Sequence, residues 1–223
     1  MTLPGFAAQS LYLDVGWGVV LAAVVLGLLS GPGPARRLRG PRWLGPAAVA
    51  AVAAWVALPG AWSPTFWLGM AFQHPSVVLI VLAGVDGVGR LRPSAVPPDR
   101  PLLGLLPALT LLGAGAVLYA GAFALIQHDF YGIGFSGRAT LIAGTVLVVA
   151  WAWLDPRSGW ACVAVALAVA THAATRLPSG NGWDALLDPF LVGWSAVVVA
   201  RSAWQRLRRS PIPTLPERSD EPA

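Results

Sequence analysis

The sequence predicts an all-α protein, a polytopic transmembrane helical bundle of about seven spans with its N-terminus outside and its C-terminus inside. Three observations carry that expectation. The chain is 56% hydrophobic and 11% charged, with a mean hydropathy of +0.66, a composition suited to a bilayer rather than to a soluble domain. Its apolar residues gather into runs of roughly 17 to 25 residues, and about 20 helical residues cross a hydrocarbon core of about 30 Å. Its basic residues fall almost entirely in alternate connections.

Taken in order, the first run covers residues 11–30. It follows "MTLPGFAAQSL", which holds no basic residue, so it reads as a retained N-out helix and not as a cleaved signal peptide. The second, 43–62, contains "AAVAAVAAWVA", whose small side chains permit close helix packing. The third, 64–88, opens at a Ser63-Pro64 cap and carries Gln73-His74-Pro75 in its middle. The fourth covers 102–126, the fifth 138–154, the sixth 159–177 and the seventh 188–205. Asp155-Pro156 and Asp188-Pro189 stand just before the last two, where aspartate can cap free N–H groups and proline suits a first helical turn. "GPGPARRLRGPRW" and "GRLRPSAVPPDRP" are proline-rich basic turns that interrupt helices. Residues 1–205 thus form the transmembrane domain, and 206–223 read as a disordered cytoplasmic tail, basic and then acidic.

Orientation follows from arginine, which supplies all fifteen basic residues. With the N-terminus outside, thirteen lie inside: Arg36, Arg37, Arg39, Arg42, Arg90, Arg92, Arg100, Arg157, Arg201, Arg206, Arg208, Arg209 and Arg218. Only Arg138 and Arg176 lie outside, the asymmetry that retention of positive loops in the cytoplasm produces. The dominance of Ala, Gly, Pro, Val and Leu, together with arginine in place of lysine, is the mark of a GC-rich bacterial gene, so the expected location is a bacterial inner membrane. A calculated pI of about 10.6 does not indicate nucleic-acid binding here, because the arginines set topology. Cys162 is the single cysteine, which excludes an intrachain disulfide, a CxxC redox pair and a thiolate metal cluster.

Candidate chemistry begins at His74. About ten residues beyond the Ser63-Pro64 cap it lies about 15 Å deep, near the bilayer midplane. Pro75 should kink or break the helix there. A polar side chain at that depth needs a partner, so Gln73 and His74 are candidate ligand-binding residues. The alternatives are that they satisfy backbone groups freed by Pro75, or that residues 64–73 lie along the outer interface. His128 and His172 fall on the same outer side, as do Asp14, Asp129, Asp184 and Asp188. With Tyr131, Arg138, Arg176, Asn181 and Trp183 they compose an expected outward-opening polar pocket between helices, set against the plainer reading of interfacial loops and an aromatic belt.

Three further readings concern the same residues. His74, His128 and His172, with Asp129 or Asp184, have the donor types of a transition-metal site, without close spacing on one helix face. In "GFSG", residues 134–137, Ser136 stands at the outer end of the fifth span, with His172 in the outer half of the next. The four residues resemble the GxSG of rhomboid intramembrane proteases, and the resemblance implies a serine nucleophile at Ser136 with His172 as base. Asp184 and Asp188 are four apart and would share one helical face, as a carboxylate pair for acid-base work or cation binding does. On the inner side, Asp86 and Arg90 have the spacing of a helical ion pair.

The expected function is therefore ligand or ion binding from the outer side, in a transport-like role or as an accessory subunit of an envelope complex. The alternative is an intramembrane hydrolase, by the Ser136/His172 dyad or through a metal on the three histidines. Membrane lipids, a protein partner or a second copy are the expected partners, nucleic acid is not, and the sequence names no cofactor.

Overall fold

The computed structural model describes residues 4–30, 40–92, 95 and 101–209. The 206–223 tail beyond Arg209, and most of the two proline-rich arginine turns, lie outside the described residues. Those described form α1 (Phe6–Leu29), α2 (Leu44–Val56), a 3-10 turn (Gly60–Trp62), α3 (Pro64–Phe72), α4 (Val77–Leu91) and α5 (Leu105–Ala122). Then follow α6 (Phe130–Ile133), α7 (Gly137–Leu154), α8 (Gly159–Thr175), α9 (Gly182–Leu186) and α10 (Pro189–Arg209), with no strand among the described residues. The all-helical expectation holds. Three helices, α1, α5 and α7, with 24, 18 and 18 residues, are long and apolar enough to cross a membrane, while α2 and α8 are apolar but shorter.

Helix α4 is central, packed between α1 and α8; α2 leans on α1, α7 on α8, and α5 pairs with α10, whose start touches α4. Fully buried Ala161, Ala164 and Ala168 recur at helical spacing along α8, so small side chains let the backbones approach. Outward, large apolar groups are left uncovered, among them Ile142 at 65% and Trp153 at 83% exposure on α7. In water such a surface would be costly, whereas lipid is as apolar as the side chains themselves.

The third apolar run differs from the single span expected over 64–88. It is two helices: α3 stops at Phe72, Gln73 adopts φ 60° and ψ −122°, and α4 starts only after Ser76, whose Oγ accepts from Leu79 N at 3.1 Å. The cause is local. Pro75 has no N–H and disfavours helical geometry in the residue before it. The interruption persists because neighbouring elements bind the groups it frees. Trp17 Nε1 donates to Gln73 O at 3.0 Å and Tyr12 Oη to Pro75 O at 2.8 Å. Ser76 N donates to Asp188 Oδ2 at 2.8 Å, while Asp188 Oδ1 accepts from Phe190 N and Leu191 N at 2.8 and 2.9 Å. Trp17 and Phe72 both pack edge-on against Phe190, with ring centroids 5.1 and 4.7 Å apart. The freed groups are thus met by α1 and Asp188, not by the Gln73 or His74 side chains.

Trp17 sits half-way along α1, which places the break at mid-height. Gly16 lies against Pro75 and Ile80, Gly87 against Leu26, and Gly27 against Arg90, so α1 and α4 run in the same direction. Smaller departures follow from turn chemistry. The second run ends in the 3-10 turn, and the fourth stops at Ala122, with Ala124 at φ 55°. Asp155 accepts from Ser158 Oγ at 2.5 Å and Arg157 N at 3.2 Å, holding the turn before α8 instead of capping the helix. The Asp86–Arg90 pair forms at 2.6 Å.

Asp188 is 4% exposed, and its removal strands three backbone donors, each costing about 1–3 kcal/mol when left unpaired. Asp188→Ala is therefore expected to lose at least about 3 kcal/mol. Asp188→Asn, which keeps one oxygen, loses less. Unfolding of both variants in detergent checks this, and equal stabilities for Asp188→Ala and the unaltered chain would refute it.

Candidate functional site

The break opens on a chamber. Its wall is lined by Gln73, His74, Tyr119, Ser179, Asp184 and Asp188, with Phe72, Leu187 and flanking prolines closing the rest, around a volume of about 160 Å³. A water molecule takes about 30 Å³ of liquid volume, so the space suits a small ion with its waters or a small organic group.

Over the chamber the segments around α6 and α9 form a ledge. Asn181, fully buried, donates from Nδ2 to Tyr131 O at 3.0 Å and accepts at Oδ1 from Trp183 N at 2.9 Å, capping α9. Trp183 Nε1 donates to Phe130 O at 3.0 Å, and Gly182 N to Gly134 O at 2.8 Å. Glycine is required at two of these positions. A Cβ on Gly134 would overlap Asn181 Oδ1, and one on Gly182 would overlap the Thr140 hydroxyl. The ledge fixes Asp184, whose carboxylate accepts from Tyr131 Oη at 2.8 Å and from the Ser179 hydroxyl. Burial first, then the adjacent Asp184 charge, push the Tyr131 phenol above its ordinary value, so it remains a donor.

Charge is distributed unevenly. Asp188 faces the N-termini of α4 and α10, and each helix start carries about half a positive charge; together with three backbone N–H bonds these compensate one carboxylate. Asp184 has two hydroxyl donors and stands in the first turn of the short helix α9, and no arginine or lysine is among the lining residues. The ring of His74 lies 6.0 Å from that of Tyr12.

The sequence-predicted residues divide into groups. Gln73, His74 and Asp184 line the chamber, and Tyr131 and Asn181 support it from the ledge. His128, Asp129 and Arg138 are exposed and outside the chamber wall: His128 stacks on Phe130 at 5.9 Å, and Asp129 Oδ1 accepts from Gly132 N at 2.8 Å to cap α6. Arg176 donates to His172 Nε2 at 3.2 Å. His172 is 1% exposed, and its Nδ1 has no hydrogen-bond partner among the described residues. Ser136 is exposed at the start of α7, with no hydrogen bond joining it to His172 among the described residues. Nor do the described residues hold any cluster of three His, Cys, Asp or Glu side chains able to grip a metal ion; His74, His128 and His172 stand apart. Tyr119 and Ser179 were not anticipated. Tyr119 had a faint signal as a lone hydroxyl within the apolar run "GAGAVLYAGA".

No family model, curated protein or solved structure matches this chain.

Gly134→Ala is expected to lower stability by about 1–3 kcal/mol, the usual cost of forcing atoms into packed space. Tyr131→Phe, which deletes one hydroxyl at a half-exposed contact, costs about 1 kcal/mol or less. Thermal unfolding in one detergent ranks the two, and the reverse order would contradict the packing assigned to the ledge.

Proposed function

We propose that this chain is a bacterial inner-membrane protein of seven crossings, N-terminus outside, which takes up a small cation from the outer side at the broken third span. The role is transport-like, or that of a ligand-sensing accessory subunit in an envelope complex. The observation that carries it is Asp184, a carboxylate without cationic compensation, beside a helix break at mid-height. Broken spans are where membrane proteins gather ion-binding side chains, and an acid within the bundle is expected to meet a proton, a cation or a partner group.

Chain directions and charge support the orientation. Arg42, Arg90, Arg92, Arg157, Arg201, Arg206 and Arg208 belong to the end of the bundle where α1 and α4 finish, and Arg138 and Arg176 to the other. The α3–α4 pair counts as one interrupted crossing because α4 continues in the direction of α1.

Two measurements test the reading. Melting of the purified chain with sodium, potassium, ammonium, methylammonium or guanidinium chloride, at constant ionic strength, should reveal saturable stabilisation by one of them. Saturation at a hundred times the dissociation constant is worth about 2.7 kcal/mol. Asp184→Asn should abolish that gain. No stabilisation by any cation, or equal stabilisation of the variant, would remove the proposal. For topology, Ser136→Cys and Arg157→Cys in a Cys162→Ser background are treated with an impermeant maleimide in intact cells: only the first should label before lysis, and the opposite pattern would invert the orientation.

A further inference from the structure

The chamber holds a second titratable group beside its acid. His74 and Asp184 line the same space of about 160 Å³, room for about five waters at about 30 Å³ each, and the charge of Asp184 acts on the imidazole. From α1 the ring meets Tyr12, with centroids 6.0 Å apart, and the backbone of Gln9. The other groups around it offer no charge that changes near neutral pH. Tyr12 and Tyr119 are phenols, which titrate near about 10, and the Tyr12 hydroxyl is spent on Pro75 O. Asp188 has both oxygens taken by backbone N–H groups, and Gln73 and Ser179 are neutral. Neither His128, which is exposed, nor His172, which is bonded to Arg176, lines the chamber.

Asp184 therefore has two claimants. While the imidazole is neutral, a cation entering the chamber balances the carboxylate, and the ring presents an unprotonated nitrogen that accepts. Once the imidazole is protonated the balance is already met. A cation added then would set two like charges in one small space, where they repel far more strongly than in bulk water. Deprotonation of His74 thus removes a competing charge and supplies a lone pair at the same point, so cation and proton exclude one another.

We propose that the chamber exchanges its cation for a proton held on His74, one for one. The inference rests on the cation reading of the chamber given above. Entry of the cation sends the imidazolium proton to water, and return of a proton to the imidazole sends the cation out. Each state carries the same net charge. A chamber of this kind couples the movement of a cation to that of a proton, a use to which intramembrane acids and histidines are suited.

The test uses the purified full chain in mild detergent, with sodium, potassium, ammonium, methylammonium and guanidinium chloride as probes, titrated between about pH 5.5 and about pH 8, where histidine changes charge. Affinity for the stabilising cation should be constant above the His74 midpoint and fall about tenfold per pH unit below it, as competition by one proton requires. An indicator dye in weak buffer at about pH 6 should record release of up to one proton per cation bound. His74→Gln, which keeps a polar side chain but takes no proton, should bind with one affinity throughout and release none. Histidine proton NMR of the unaltered chain identifies the group without any substitution: saturating cation should lower the His74 midpoint by about one pH unit or more and leave that of His128 in place. A slope that survives in His74→Gln, or an unmoved His74 midpoint, would place the proton elsewhere and overturn the assignment. Saturable stabilisation at one pH-independent affinity, with no proton released, would overturn the exchange and leave the cation reading standing. No stabilisation by any of the salts at any pH would remove the cation reading, and the exchange with it.

Discussion

The buried carboxylate of Asp188 accepts the first free N–H of α4 through one oxygen and two N–H groups of α10 through the other. Two helix starts far apart in the chain are thereby held at one point, and the rest of the core is arranged around it. Without that bond the extended residues after Phe72 would present an unpaired donor to an apolar interior, a cost of about 1–3 kcal/mol for each such group. With it, α4 can begin in the middle of the bundle. Its position between α1 and α8, and the contact of the α5–α10 pair with it, depend on where it begins.

The same bond decides the electrostatics of the chamber. Helix starts attract anions, so a break of this kind would by itself suit a carboxylate or phosphate ligand. Here the protein supplies its own anion. Asp188 occupies the position such a ligand would take, and the charge left over belongs to Asp184, which is held by two hydroxyls and no cation. On the proposed reading, the sign of the preferred ligand follows from this division. A chamber of two carboxylates with neither helix start directed at them would repel its own acids; a chamber with both acids compensated would have no preference at all.

Much of this was legible in the sequence, and the rest was hidden for identifiable reasons. Helical content and apolar length follow from composition and run length, which are one-dimensional properties. Pro75 announced an interruption, and Asp188-Pro189 announced a cap. What could not be read was that one residue serves both, because residues 76 and 188 are brought together only by packing. For the same reason Gln73 and His74 were candidates for mending the break, when the groups that mend it come from Tyr12 and Trp17, two aromatic residues that resemble any others in an apolar helix. Loop polarity misled in the other direction. His128, Asp129 and Arg138 share one end of the bundle with the ledge that carries Asp184, but His128 stacks on Phe130, Asp129 caps a short helix, and none of the three lines the chamber.

His74 illustrates how the two kinds of information combine. A histidine beside proline in an apolar run would ordinarily be spent on the backbone, since its ring can donate or accept where the helix ladder has been lost. In this fold the carbonyls on either side of it are bonded by α1, and the donor after Pro75 by Asp188. Those backbone groups of the break therefore make no demand on the imidazole, which packs near Tyr12 and lines the chamber with Asp184. Rigid anchoring of residues 73, 75 and 76 and release of the side chain at 74 from mending the break are two consequences of one arrangement, by which a proline interruption becomes a chamber wall rather than only a bend.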